Sequence, residues 1–328
     1  SQCGIIEAYS GAKSLKFWST YINPGTGTRQ VTINGTSIAT AEGASAFQAV
    51  TFTNGQAVVT AKYKDAGSLA ISMKDQVAHP DLPNGIRGGT GAFVSVPATF
   101  QITGIQRTDN GAANPAATTA AGAVFLPAGR PFTATVTALD AEGSATPNFG
   151  KETPAESVRL APNLVLPAAG TLGTTTSTTG FASFTNGVST GTDFAYSEVG
   201  IITLTPRIAD GNYLGAGDGA GTTTGNVGRL IPNDFLVATN TPLFLTACSA
   251  GTYTYIGQPF GYSVAPVFTV TARAFGGSTT RNYTGAFFKI TNTTLTGRSY
   301  TATTGTLDTS GVPATTTDPT IVGLANGT

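Results

Sequence analysis

The chain has 328 residues, 17 Lys+Arg against 17 Asp+Glu, and only 10% charged residues, where soluble proteins usually carry about 25%. Zero net charge without a Lys/Arg cluster argues against nucleic acid or an anionic membrane as partner. No apolar run reaches the ~18 residues of a spanning helix, so no membrane insertion is expected.

Gly, Ala, Thr and Ser replace the missing charge, while Val, Ile, Leu, Phe and Tyr recur in short bursts. Thr is β-branched and favours strands, and Gly, Asn and Pro mark turns. The expected fold class is all-β, with tandem immunoglobulin-like β-sandwich units.

In chain order, the first expected unit spans 1–97. It contains Leu15-Lys16-Phe17, a basic residue between two apolar ones, then "FTNG" at 52–55 and "YKDAG" at 63–67. The second spans 98–232. Phe100, Ile102 and Ile105 are spaced for one face of an extended segment, and Phe132–Ala138 alternates as a strand should. Further strands are expected at Val158-Arg159-Leu160, Phe181–Phe184, Phe194–Tyr196 and Ile201–Thr205, with "TNG" turning the chain at 185–187. The third unit spans 233–328, with "TVTARAFGGSTTRNY" at 269–283, a short strand expected at Phe288-Lys289-Ile290 as the third copy of the apolar-basic-apolar pattern, and a closing "LANGT" at 324–328.

These units are repeats of one another. "TVTALDAEGSATPNF" at 135–149 matches 269–283 without a gap, sharing Thr135, Val136, Thr137, Ala138, Gly143, Ser144, Thr146 and Asn148 at a shift of 134 (135 to 269). "VPATF" at 96–100 resembles "IPNDF" at 231–235, and "FTNG…YKDAG" resembles "FTNG…YSEVG" at 184–200. Alignment on these landmarks leaves unit one without its first strands and unit three without its last. Either the ends are truncations, or a strand from elsewhere fills the gap in trans. The expected partners are therefore the remainder of the parent polypeptide or neighbouring subunits, through incomplete sandwich edges.

Tyr63 and Tyr196 are candidates for tyrosine corners, buried rings whose hydroxyls return to backbone. Cys3 and Cys248 fall at non-corresponding places in the repeat. Each is a lone thiol or half of a disulfide whose partner lies outside the chain. Trp18, Tyr253 and Tyr255 form a candidate aromatic contact surface for sugar rings, although Tyr253, Tyr255 and Phe260 also suit a core or inter-unit packing role.

Chemical motifs fare poorly. "GVSTG" at 187–191 has the spacing of a nucleophile elbow, but no helix pattern follows, and the only histidine is His79, in a loop. "GAGDGAG" at 215–221 resembles a phosphate-binding loop without the helix such loops need. Asp210, Asn212 and Asp218 form a weak calcium candidate, with two carboxylates for a cation that wants six to eight oxygens. No cofactor and no catalytic residue is expected.

"VGRLIPNDF" at 227–235, "CSAGTYTYIGQPFGY" at 248–262 and "TRNYTGAF" at 280–287 resemble the large uncharacterised domain of MshQ-like proteins. "LKFWSTYINPGTGT" at 15–28 and "VTAKYKDAGSLAIS" at 59–72 are similar to that family as well. These are proteins of the mannose-sensitive haemagglutinin pilus locus and related bacterial surface proteins. The resemblance implies an extracellular, bacterial cell-surface or pilus-associated chain with no catalytic residues. The expected function is a non-enzymatic structural or adhesive module. The alternatives are a glycan-binding module, or a filament subunit assembled by strand complementation. Pilus components and surface glycans are further expected partners.

Overall fold

A computed structural model describes residues 4–77, 85–245, 261–294, 301, 303–306 and 320–328. Cys3, Cys248, His79, Tyr253, Tyr255 and Phe260 lie outside the described residues. Apart from 3-10 turns of three residues each, the regular structure described is β, as the Thr-rich, turn-punctuated pattern requires.

In the first unit Gly11–Asn23 lies between Phe47–Phe52 and Gly67–Asp75, and Gly67–Asp75 pairs in turn with Arg87–Gly89 and Phe93–Ser95. A small three-stranded sheet, Thr36–Ser37, Thr32–Ile33 and Ala61–Lys62, covers it. Leu15, Phe17, Leu69 and Ile71 from the large sheet meet Val31, Ile33 and Ile38 between the two layers. The alternation is the period-2 signature of a half-buried strand: Leu15, Phe17 and Ser19 face inward while Lys16 and Trp18 are only half-buried.

The second unit is the most complete sandwich described. One sheet runs Leu126–Pro127, Val227–Ile231, Gly200–Ile208, Val158–Leu166. The other runs Thr175–Thr176, Val188–Tyr196, Phe132–Leu139, Thr99–Arg107. Phe100, Phe125, Phe132, Phe149, Phe181, Phe194, Tyr196 and Tyr213 pack between them. The irregular spacing of Ile102 and Ile105 has a local cause. Pairing with Phe132–Leu139 slips between Thr133 and Thr135, opposite Gly104 at φ +62°, so a bulge restores the inward phase.

The repeat is visible as hydrogen-bond register. Phe100 stands opposite Ala138, and Phe235 opposite Ala272. Gly67 stands opposite Ser95, and Gly200 opposite Leu230. The "NG" turns are equivalent too: Ala138 N–H donates to Gly187 O at 2.8 Å, and Ala272 N–H donates to Gly327 O at 2.9 Å. The closing "LANGT" therefore holds the place in unit three that "FTNG" holds in unit two.

Two expected strands are not formed. Phe181–Phe184 is irregular. Its Phe181 and Phe184 are buried singly in the core, so their apolarity reflects packing rather than pairing. Phe288-Lys289-Ile290 follows the 3-10 turn Gly285–Phe287 without entering a sheet, although its first two copies lie in the strands Gly11–Asn23 and Val158–Leu166.

Candidate functional site at the joints between units

Tyr-x-acid-x-Gly, read as a tyrosine corner, turns out to be half of a joint. Tyr196 ends the strand Val188–Tyr196 and is fully buried. Its hydroxyl accepts from a backbone group, Gly173 N–H, at 2.8 Å. Burial pushes its pKa up to about 12. The Tyr63 hydroxyl accepts from Asn148 Nδ2 at 3.1 Å, a side chain of the next unit. That differs from the corner reading, which expected a backbone partner. Desolvation, reinforced by Asp65, raises the Tyr63 pKa well above its ordinary value.

The acid two residues later is the centre of each joint. Asp65 is 2% exposed. Its Oδ1 accepts from its neighbour Ala66 N–H at 2.9 Å and from Asn148 N–H, in unit two, at 2.9 Å. Glu198 is 5% exposed. Its Oε1 accepts from Val199 N–H at 2.8 Å and from Asn282 N–H, in unit three, at 3.1 Å, while Oε2 accepts from Arg281 N–H at 2.8 Å. Each carboxylate thus caps the start of the Asn-aromatic turn of the unit that follows it. Burial raises the pKa of both acids, opposed by these N–H donors.

The turn that plugs in is also shared. Asn148 and Asn282, 134 positions apart (148 to 282), are 1% and 2% exposed. Asn282 is held twice to Thr171: its Oδ1 accepts from Thr171 N–H at 2.7 Å and its Nδ2 donates to Thr171 O at 2.8 Å. A third bond runs from Nδ2 to Val199 O at 3.0 Å. In the first joint the two-way clasp is made by Asn23 with Thr153, at 2.8 and 3.1 Å. Lys62 and Lys64, both in unit one, pair with Glu142 of unit two beside it.

Glycine makes both sockets. A Cβ on Gly27 would stand 2.9 Å from Asn148 Nδ2, and one on Gly170 would stand 2.7 Å from Asn282 Oδ1. The motif glycines Gly67 and Gly200 have φ of +129° and +146°, and a Cβ there would meet Asn23 O at 2.8 Å and Leu166 O at 2.4 Å. A side chain at either would open the loop that carries the socket.

Apolar contact completes the joints. Ala66 of unit one belongs to the core of unit two. Val199 and Ile201 share a cluster with Ala272, Tyr283 and Phe287 of unit three. Of these residues, sequence comparison singled out the two tyrosines. It missed Asp65, Glu198, Asn148, Asn282, Gly27 and Gly170, although recurrence of the first four was visible.

The other candidates separate. Trp18 is half-buried with the Arg87 guanidinium 6.0 Å from its ring centroid. Asp210, Asn212 and Asp218 do not converge as a cation site: Asp210 Oδ1 accepts from Asn212 N–H, Asn212 Oδ1 from Gly217 N–H, and Asp218 pairs with Arg207. These side chains shape the loop, and among the described residues no group of three metal-ligating side chains occurs. In "GVSTG", Ser189 is a buried mid-strand residue opposite Val136. "GAGDGAG" lies back along Gly200–Ile208, with Ile208 N–H donating to Gly219 O and Gly221 N–H to Pro206 O.

Three family models match in order. The model of the first Ig-like domain of the domain of unknown function DUF6701 matches 1–86, that of its second domain 96–194, and that of its third 198–328. The last two meet inside the sandwich that the sheets outline over 99–231. Neither a curated protein nor a solved structure matches the chain.

Proposed function

The chain belongs to the DUF6701 family, whose three domains succeed one another along it, and we propose that it is a non-enzymatic structural segment that holds other parts of its parent protein at a fixed distance and angle. The observation that carries this reading is the duplicated joint. A flexible linker has no use for a buried carboxylate, a buried Asn and a glycine socket, placed alike twice. Interfaces between domains default to relative motion unless they are well packed, and here backbone groups of one unit are capped by a side chain of the unit before it. The setting we propose is extracellular, at a bacterial cell surface or on a pilus-associated protein, on the likeness to MshQ-like proteins described above.

Pulsed electron paramagnetic resonance tests the rigidity. Spin labels at the exposed positions Thr51 and Thr192, in a chain with both cysteines replaced by serine, should give one narrow distance distribution. Asn148→Ala should broaden it. A broad distribution in the parent chain sinks the proposal.

A further inference from the structure

Beside the joint between units two and three lies a cavity of about 450 Å³, lined by Arg107, Asp109, Leu126, Pro127, Arg130, Pro131 and Asn233. That volume lies within the ~300–1,000 Å³ of small-molecule sites and suits one or two sugar rings. Pro127 and Pro131 supply a small apolar wall over the buried Leu126. The two arginines differ in how they are engaged. Arg107 is committed: Nε and Nη2 donate to Asp109 and Nη1 donates to Phe125 O.

Arg130 is held but not neutralised. Its guanidinium stacks on Phe275, with Cζ 4.0 Å from the ring centroid. Its Nε donates to Asn233 Oδ1 at 2.8 Å. Among the described residues no carboxylate pairs with it, so its Nη groups form an oriented, unspent fork. Phe275 is itself seated by its N–H donating to Ala128 O at 2.8 Å. A planar guanidinium fixed by stacking and one hydrogen bond is organised for bidentate recognition of a carboxylate. Across the cavity Asp109, 60% exposed at its side chain, keeps lone pairs beyond those Arg107 uses and is suited to accept from hydroxyls.

We propose that this cavity binds an acidic monosaccharide of the hexuronate class: its carboxylate on the Arg130 fork, its hydroxyls toward Asp109, and its C–H face against Pro127 and Pro131. This adds a binding function to the structural one and rests on it, because Phe275 and Asn233 of unit three hold the Arg130 fork of unit two; the sugar probes read the site separately from the spin-label distances, which cross the first joint.

Saturation-transfer NMR on the whole chain tests it with D-glucuronate, D-glucose and acetate as observed ligands, and with inorganic phosphate, which has no C–H proton, as a competitor of glucuronate. Transfer to glucuronate is expected, with glucose and acetate at least about tenfold weaker and phosphate displacing glucuronate only at about tenfold excess or more. Arg130→Gln should abolish it. Arg130→Lys keeps charge and removes the fork, and should weaken binding about tenfold or more. Arg159→Gln, an exposed arginine on the strand Val158–Leu166 that is not part of the cavity lining, should leave it unchanged. Unfolding temperature checks that each variant is folded. No transfer from glucuronate, equal transfer from glucose or acetate, or full binding by folded Arg130→Lys overturns the proposal. Phosphate displacing glucuronate at equal concentration overturns the sugar assignment.

Discussion

Glu198→Gln and Asp65→Asn should move stability in opposite directions. Both acids are buried, and burial raises both pKa values. A view based on charge alone therefore expects either amide to stabilise. Hydrogen-bond geometry disagrees. Every oxygen of Glu198 is engaged: two N–H groups on Oε1 and Arg281 N–H on Oε2. An amide there aims NH₂ at least at one backbone N–H. Such an orphaned buried donor costs about 1–3 kcal/mol, and Glu198→Ala, which orphans three, should cost about 3 kcal/mol or more. At Asp65, Oδ1 takes both N–H bonds, and Oδ2 is buried without a partner among the described residues. Asn keeps the used oxygen and exchanges an unpaired buried charge for an unpaired but neutral NH₂, a smaller desolvation cost, so Asp65→Asn should be neutral or stabilising at pH 7. Whole-chain melting of a three-unit protein is not two-state, so the assay is native-state hydrogen exchange. The Arg281 and Asn282 amides should exchange about 30-fold faster in Glu198→Gln, taking ~2 kcal/mol at tenfold per 1.4 kcal/mol. Those of Ala66 and Asn148 should be unchanged or slower in Asp65→Asn. Equal effects of the two amides, in either direction, would refute the idea that the joints are built on the number of N–H groups each acid caps.

Three further outcomes are expected. Gly200→Ala places a Cβ 2.4 Å from Leu166 O at a φ of +146° and should destabilise the second unit by more than about 2 kcal/mol, read as faster native-state hydrogen exchange of the Gly200–Ile208 amides. Tyr213→Phe removes the 2.6 Å bond that Tyr213 donates to buried Glu152 and should cost about 1.5–3 kcal/mol by the same measurement. The pH effect follows from the raised pKa of Asp65. Its folded state holds the proton more tightly, so its contribution is fully present below the unfolded value near 4 and is lost as pH rises through the folded value. The gap in unfolding temperature between Asp65→Asn and the parent chain should widen in the variant's favour from pH 4 toward neutrality. A gap that narrows contradicts that sign.

Strand-by-strand architecture was legible because its cause is local. Phe132–Leu139 alternates, and so does its copy Phe268–Arg273, and the shared Thr-Val-Thr-Ala fixes the register in which each meets its partner. Legibility failed where an apolar burst serves packing without pairing. Phe181–Phe184 contributes two rings to a core already supplied with strands, and no pattern within four residues distinguishes that from an edge strand. Tyr63 and Tyr196 were marked by recurrence, but their partners Asn148 and Gly173 lie 85 and 23 residues away, where no periodicity reaches.

The joints argue that recurrence carried more information than the tyrosine reading extracted from it. A residue kept at the same place in two copies serves either its own unit or the contact between units, and spacing alone does not separate these. The acids do. A carboxylate that served only its own unit would spend its oxygens there, as mid-strand Asp193 does on the N–H groups of Thr178 and Thr179. Asp65 and Glu198 each give one bond to their own next residue and their others to the following unit. Asn148 and Asn282 complete the argument from the other side, since each is buried by the unit before it. The socket is thus made by one copy and the plug by the next. That division is the reason both halves persist through the repeat, while the strands between them, such as Phe47–Phe52 and its irregular counterpart Phe181–Phe184, are free to differ.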